Sequence, residues 1–77
     1  MQFKRYIIQF ISDAGDYYHC AGLPKNPADV SNALLMNEQA LKVAIEKNCY
    51  RWVGVAGGGS EKVEIPHRVL EINCSII

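Results

Sequence analysis

The clearest pattern in the chain is an apolar stripe at helical spacing that begins just after Asn37. Four apolar residues recur so that they share one helical face: Ala40, Leu41, Ala44 and Ile45. Asn37 is a favourable N-cap, Glu38 complements the positive end of the helix dipole, and Lys47 complements the negative end. With Asn48 as a left-handed terminating residue, the pattern predicts a helix of about eleven residues that must pack on a sheet.

Strand-type segments precede this helix. Residues 3–11 are rich in β-branched and aromatic side chains, and a turn at residues 12–16 leads into a returning strand that ends at residue 21. Residues 22–30 contain two prolines and form a connection. Residues 31–36 are too few for periodicity to decide between a short strand and an extended lead-in to the helix.

Further strands follow the helix. Residues 50–55 form one strand, a glycine loop at 56–60 follows, and residues 61–65 alternate before Pro66 interrupts them. Residues 69–77 alternate well, which predicts a strand with one buried side. Its apolar face carries Leu70, Ile72, Cys74 and Ile76.

This order of elements favours the α+β class. The expected architecture is an antiparallel sheet of four to five strands with one α-helix packed on one face. The 77 residues are expected to form a single compact domain, residues 1–77. One helix covers only part of such a sheet, so the other face is either solvated or an interface.

Charge and hydropathy narrow the range of partners. Eight basic residues balance eight acidic ones, which disfavours a nucleic-acid partner because such proteins usually carry a basic patch. No segment reaches the roughly 18 apolar residues of a membrane span. The apolar N-terminal stretch is short, is interrupted by Gln9 and lacks a cleavage site, so it is read as a strand and not as a signal peptide. These features predict a soluble, cytoplasmic protein.

The three cysteines do not resemble a disulfide framework or a zinc site. Their number is odd and their spacing is wide, which favours reduced, partly buried thiols. His19, His67 and the thiols lack metal-ligand spacing, and no metal or other cofactor is expected. The sequence positions of these donors are His19, Cys20, Cys49, His67 and Cys74.

Catalytic interpretations are also disfavoured. Cys49 follows the predicted C-terminus of a helix, where a thiolate is not stabilised. Asp13 and Asp16 lie in a turn and not in a cleft that could raise the pKa of one carboxyl group. The glycine loop lacks the spacing of a phosphate-binding loop, and no helix follows it. The sequence therefore predicts a protein that is not an enzyme.

Aromatic residues are the best candidates for a binding surface. Tyr17 and Tyr18 point to opposite sides of their strand, so one of them should be exposed. Tyr50 and Trp52 share a side, and Trp52 is either a binding anchor or the core aromatic beneath the helix. The predicted partner-binding residues are Tyr17, Tyr18, Arg51 and Trp52, with the loop glycines Gly57, Gly58 and Gly59.

A resemblance to a known class of proteins indicates the kind of partner that these residues bind. The opening strand at Tyr6, the Gly15-Asp16-Tyr17-Tyr18 hairpin, the capped helix with Ala40 and Ala44, and the strand Trp52–Val55 together resemble small phage and prophage accessory proteins of the anti-CRISPR kind. The likeness covers roughly residues 5–55. Leu34 and Leu35 replace the large aromatic residue that usually precedes the helix, and the glycine loop and terminal strand have no counterpart.

The resemblance implies a small, non-catalytic phage or mobile-element protein that inhibits a host protein complex by steric occlusion. Two alternatives from other classes remain open. One is a nucleic-acid-associated accessory protein whose exposed aromatics stack on bases. The other is a self-associating structural subunit, a homodimer formed through a sheet face or edge.

Overall fold

The computed structural model describes residues 1–76, which form five strands and one α-helix. A short 3₁₀ helix at Val30–Asn32 precedes the α-helix. In chain order the elements are β1 (Gln2–Phe10), β2 (Tyr17–Tyr18), α1 (Glu38–Asn48), β3 (Tyr50–Gly54), β4 (Ser60–Glu64) and β5 (His67–Ser75). The predicted α+β class is thus confirmed, as are one helix and antiparallel strand pairing.

The prediction of one sheet of four to five strands is wrong. The strands form a three-stranded sheet in the order β2-β1-β5 and a separate two-stranded sheet of β3 and β4. Pro66 stands between β4 and β5, where it supplies no N–H and fixes its own φ. The carbonyl of Pro66 instead accepts from the N–H of Ile11 at 3.0 Å, which directs the chain from the β3–β4 hairpin into the ladder with β1.

The helix agrees with its sequence pattern except at its end. The Asn37 side chain accepts a hydrogen bond from the N–H of Ala40 at 2.8 Å, and Glu38 and Lys47 occupy the first and last turns. Asn48 does not take the left-handed conformation predicted for it. It remains helical, and Cys49 caps the helix with φ −96°. The Asn48 amide donates to the carbonyl of Ala44 at 3.0 Å, so its side chain serves the last turn instead.

Residues 31–36 are a lead-in to the helix and not a strand. Only isolated bridges form here, between Ala33 and Cys20 and between Met36 and Tyr6. The returning strand after the first turn is also shorter than predicted, because β2 contains only Tyr17 and Tyr18. Farther along this side of β1, Met36 and Tyr6 exchange backbone hydrogen bonds at 2.8 and 2.9 Å.

The hydrophobic core lies where α1 meets one face of β1. Its buried members are Ile8, Phe10, Met36, Ala44 and Cys49. Leu34, Leu41, Ile45, Tyr50 and Ile65 pack around them. Since neighbouring residues of a strand point to opposite faces, α1 covers the face of Ile8 and Phe10. The opposite face carries Ile7, which pairs in register with Leu70 of β5.

The molecule is elongated for its size. Its dimensions are 58 × 26 × 19 Å and its radius of gyration is 15.0 Å. A compact domain of this length would have a radius of gyration of about 11 Å. The longest strands have nine residues and span about 30 Å, so the β1–β5 ribbon and the β3–β4 hairpin extend away from a shared core. The hairpin is the more exposed of the two.

Candidate binding surface

The β3–β4 hairpin projects from the core and carries the only tryptophan of the chain. The ladder pairs Tyr50 with Glu64 at its base and Gly54 with Ser60 near its tip. The Trp52 side chain is 71% exposed, whereas Tyr50 at the base is half-buried against the core. The interpretation of Trp52 as a core aromatic beneath the helix is therefore wrong. A large apolar ring held in solvent on a regular strand is typical of a binding anchor.

The two faces of the hairpin differ in character. Trp52 and Tyr50 share one face, as predicted, and Lys62 lies directly across the ladder from Trp52. The Lys62 ammonium group lies 4.5 Å from the centre of the Tyr50 ring, which is within the range of a cation–π contact. This contact draws Lys62 toward the base of the hairpin. Trp52 is left at the outer end of the face.

The other face presents valines beside a single arginine. Arg51 and Val53 alternate with Trp52, so they point to this opposite face, where Val63 pairs with Arg51. Val53 and Val55 are 38% and 41% exposed. Within residues 1–76, no carboxylate oxygen lies within 4.0 Å of the Arg51 guanidinium group. The Arg51 charge is therefore available to a partner.

The hairpin tip depends on three consecutive glycines. Gly57, Gly58 and Gly59 all have positive φ, at 90°, 90° and 97°. Side-chain-bearing residues rarely adopt this region, so the glycines are needed for the turn. The carbonyl of Val55 accepts a hydrogen bond from the N–H of Gly58 at 3.3 Å. The N–H of Val55 donates to the carbonyl of Gly59, also at 3.3 Å. The tip is thus a closed turn and not a cradle of N–H groups for a phosphate.

A shallow groove of about 440 Å³ lies at the base of the hairpin. Tyr17 and Arg51 both border it, so the structure brings together two of the predicted partner-binding residues. The remaining lining residues are Ile11, Ser12, Asp13, Glu64, Ile65 and Pro66. The groove therefore presents both signs of charge beside an aromatic ring.

The two tyrosines occupy different surroundings. Tyr17 is 39% exposed and stacks on Phe10, with ring centroids 5.1 Å apart. Tyr18 is half-buried and lies on the opposite side of β2, in register with Gln9. One of the pair is exposed, as the alternation predicts. Tyr18 borders a second depression beside the proline-containing connection, which Tyr17 also lines and Trp52 does not.

The predicted residues thus fall into three places and not one patch. Trp52 and the three glycines belong to the outer hairpin, Arg51 borders the groove, Tyr18 borders the second depression, and Tyr17 lines both of these hollows. Sequence reasoning missed the valine face of Val53 and Val55. Their alternation with Trp52 was visible, but a strand that lies between polar neighbours gives no sign of whether its apolar side is covered.

Several ionisable and nucleophilic groups make contacts within the fold. Cys49 is fully buried, and burial together with the nearby Glu64 charge raises the pKa of its thiol above the ordinary value. The Nδ1 of His67 lies 2.7 Å from the carbonyl of Ile65 and 3.7 Å from Glu64. The Asp16 carboxylate accepts from the N–H of Ser12 at 3.3 Å in an exposed turn. No group of three potential metal ligands is present in residues 1–76.

Comparison with known proteins adds no relative to this picture. The described part of the chain contains no helix that is long and apolar enough to span a bilayer. No family model, curated protein or solved structure matches the chain.

Proposed function

We propose that this protein is a small, non-catalytic binding protein whose β3–β4 hairpin inserts Trp52 into a pocket on a protein partner. The observation that carries this proposal is the 71% exposure of Trp52 on a projecting, hydrogen-bonded strand. Tryptophan and arginine are the residues most enriched among binding hot spots. Here Trp52 and Arg51 are adjacent and point to opposite sides of the same strand.

The hairpin chemistry favours a protein partner over nucleic acid. Nucleic-acid sites combine stacking aromatics with a groove of basic residues. Around Trp52 the only cation across the ladder is Lys62, which is engaged with Tyr50, and the neighbouring Glu61 and Glu64 are acidic. The exposed Val53 and Val55 fit an apolar protein surface. The balanced charge of the whole chain supports the same choice.

The finer proposal is that the partner is a host protein complex and that the protein comes from a phage or mobile element. An elongated molecule with a narrow projecting hairpin is suited to enter a groove on a larger assembly, while its remaining bulk blocks access. Inhibition by occlusion needs no catalytic group. The resemblance of residues 5–55 to anti-CRISPR-like accessory proteins supports this choice of partner and implies a cytoplasmic site of action.

The decisive experiment is a pull-down from bacterial lysate with the tagged protein and two matched variants. Trp52→Ala removes the exposed ring, whereas Val43→Ala removes a half-exposed aliphatic side chain from the outer face of α1. We expect the wild type and Val43→Ala to retain one stoichiometric complex in high salt with nuclease present, and Trp52→Ala to lose it. Retention that depends on nucleic acid, or that is unchanged in Trp52→Ala, would overturn the proposal.

A second measurement tests inhibition itself. Expression of the protein in a bacterial strain with an active defence complex should restore plaque formation by a phage that the complex restricts. Trp52→Ala should fail to restore it, and Val43→Ala should restore it. Equal plaque counts with and without the wild-type protein across defended strains would contradict the inhibitor role, even if the pull-down identifies a partner.

A further inference from the structure

The outer edge of β5 is long, regular and uncovered. β5 has nine residues, and its pairing with β1 runs from Gln2 opposite Ser75 to Phe10 opposite His67 without a bulge. No strand among residues 1–76 pairs with its other edge. Natural proteins usually protect such an edge with proline, lysine, a bulge or a covering loop. β5 contains no lysine and no proline, and its ladder contains no bulge.

The hydrogen bonds at the two ends of the ribbon establish which backbone groups point outward. Ile11 donates to Pro66, and Ile76 donates to Met1, so these two pairs are hydrogen-bonded pairs. Hydrogen-bonded pairs alternate along an antiparallel ladder. The residues of β5 that turn their N–H and C=O groups toward β1 are therefore Arg68, Leu70, Ile72 and Cys74. Those that turn them outward are His67, Val69, Glu71, Asn73 and Ser75.

We infer that β5 pairs with β5 of a second copy of this chain, antiparallel and about a two-fold axis that passes beside Ile72. In this register Glu71 faces Asn73 of the partner, and Val69 faces the partner's Ser75. Residues whose backbone N–H and C=O groups point outward are then paired with each other, so they can form the hydrogen bonds of an antiparallel ladder. On the other side of the strand Ile72 meets its own symmetry mate, and Leu70 meets Cys74. The result is one continuous six-stranded sheet across the dimer.

Charge and side-chain character disfavour two nearby registers. Moving the axis to Glu71 places two Glu71 carboxylates directly opposite each other, which is destabilising. Moving it to Leu70 pairs Ile72 with the charged Arg68 in place of an apolar side chain. With the axis beside Ile72, the half-buried side chains of Leu70, Ile72 and Cys74 gain apolar neighbours. Lys4 still holds Glu71 at 3.2 Å.

Strand addition between identical edges is an isologous contact that closes after two copies, so it yields a dimer and not a fibre. The hairpin edges are weaker candidates, because β3 and β4 have five residues each and β4 carries three charged side chains. The β5 edge belongs to the other sheet from Trp52. The inference is therefore independent of the proposed function, and either can fail alone.

The test measures mass by light scattering during gel filtration, from about 1 μM to about 1 mM, which covers weak and moderate association. We expect the wild type to shift from monomer to dimer as concentration rises. Asn73→Pro removes an outward N–H that β1 does not use, so it should remain monomeric with the wild-type circular dichroism spectrum. Asn73→Ala keeps that N–H and should dimerise like the wild type.

Cross-linking of an introduced cysteine pair tests the register of the dimer. It also tests the dimer if the proline variant does not fold. In a Cys74→Ala background, Ile72→Cys places two thiols at a non-hydrogen-bonded pair on the dimer axis, within disulfide reach. Oxidation with glutathione disulfide should cross-link Ile72→Cys and leave the matched Glu71→Cys variant monomeric. A wild type that stays monomeric at all concentrations would overturn the inference, as would cross-linking of Glu71→Cys in preference to Ile72→Cys.

Discussion

Trp52 and Lys62 face each other across the β3–β4 ladder, yet the Lys62 ammonium group contacts the ring of Tyr50 and not that of Trp52. The hairpin therefore uses one aromatic ring for its own order and leaves the other in water. Tyr50 belongs to the margin of the core, and Trp52 contributes little to it. Stability and binding are separated along a single strand, and this separation can be tested.

Trp52→Ala should change the free energy of unfolding by only about 0.5 kcal/mol, because the ring is mostly in solvent. A buried tryptophan would cost about 3–5 kcal/mol on the same truncation. Urea unfolding followed by circular dichroism measures the difference. In the native wild type, acrylamide should quench Trp52 fluorescence almost as efficiently as in the denatured chain. Strong protection from acrylamide in the free protein would contradict the exposed position.

Replacing a tip glycine by alanine should lower the free energy of unfolding, because the turn requires a positive φ. Gly58→Ala should lower the free energy of unfolding by about 1–2 kcal/mol, since a left-handed conformation is unfavourable for a residue with a Cβ. The added methyl group itself meets no atom within 4 Å, so sterics with neighbours do not contribute.

Gly54→Ala is the matched control for the tip. Gly54 also has open space around its Cβ position but does not have a positive φ. The substitution should be neutral or stabilise by about 0.4–1 kcal/mol through the unfolded chain. Thermal melts should therefore show a lower melting temperature for Gly58→Ala and an unchanged or higher one for Gly54→Ala. Equal destabilisation by both would show that the tip is not held in the conformation described.

Ile8 should be the most sensitive position in β1. It is fully buried in the small core, so Ile8→Ala should cost about 2–5 kcal/mol, which is close to the whole stability of a domain this small. Ile8→Val should cost about 0.5–1.5 kcal/mol and keep the protein folded for measurement.

Val69 provides the comparison for Ile8 because it lies directly across the ladder and is 40% exposed. Val69→Ala should cost about 1 kcal/mol or less. Urea midpoints for the three variants rank these effects. If Val69→Ala were as damaging as Ile8→Ala, the buried core would have to extend across this face of the sheet from β1 onto β5.

The buried thiol of Cys49 should make the protein less stable in alkaline solution. Its pKa in the folded state is raised above the ordinary 9.0 by burial and by the Glu64 charge. The unfolded chain therefore loses its proton first as pH rises, and the free energy of unfolding falls above about pH 9, by at most about 1.4 kcal/mol per pH unit from this group.

Cys49→Ala isolates that contribution from other groups that titrate in the same range. The variant should be less stable at neutral pH because of the lost packing, and its deficit relative to the wild type should shrink above about pH 9. Urea unfolding of both proteins between about pH 7 and pH 10 measures this convergence. Curves that stay parallel would contradict the raised pKa.

The helix could be predicted from sequence because its signals are local. The Asn37 cap, the Glu38 and Lys47 charges and the alanine-rich stripe act within a few residues of one another. The helix end was different: Asn48 has the right character for a left-handed residue, but its amide instead bonds to Ala44 while Cys49 is drawn into the core. Tertiary packing overrode the local preference there.

The division into two sheets could not be predicted, because periodicity gives the faces of a strand but not its neighbours. The sequence around Arg5 and around Ile72 gives no signal that these two residues pair, because they lie near opposite ends of the chain. The candidate surface shows the same limit. The sequence offers Trp52 as a candidate, but whether a strand's apolar side is covered depends on where α1 packs, and α1 packs on Ile8 and Phe10.

The ladder between β1 and β5 has a consequence for how the chain folds. It joins segments separated by about 60 residues, so closing this loop is entropically unfavourable and the ladder should form late. During synthesis β1 emerges before β5. Its principal partner is therefore made only after α1 and the β3–β4 hairpin. Until then Ile7 lacks its partner Leu70, and the nascent chain passes through its most aggregation-prone stage with one edge of β1 unpaired.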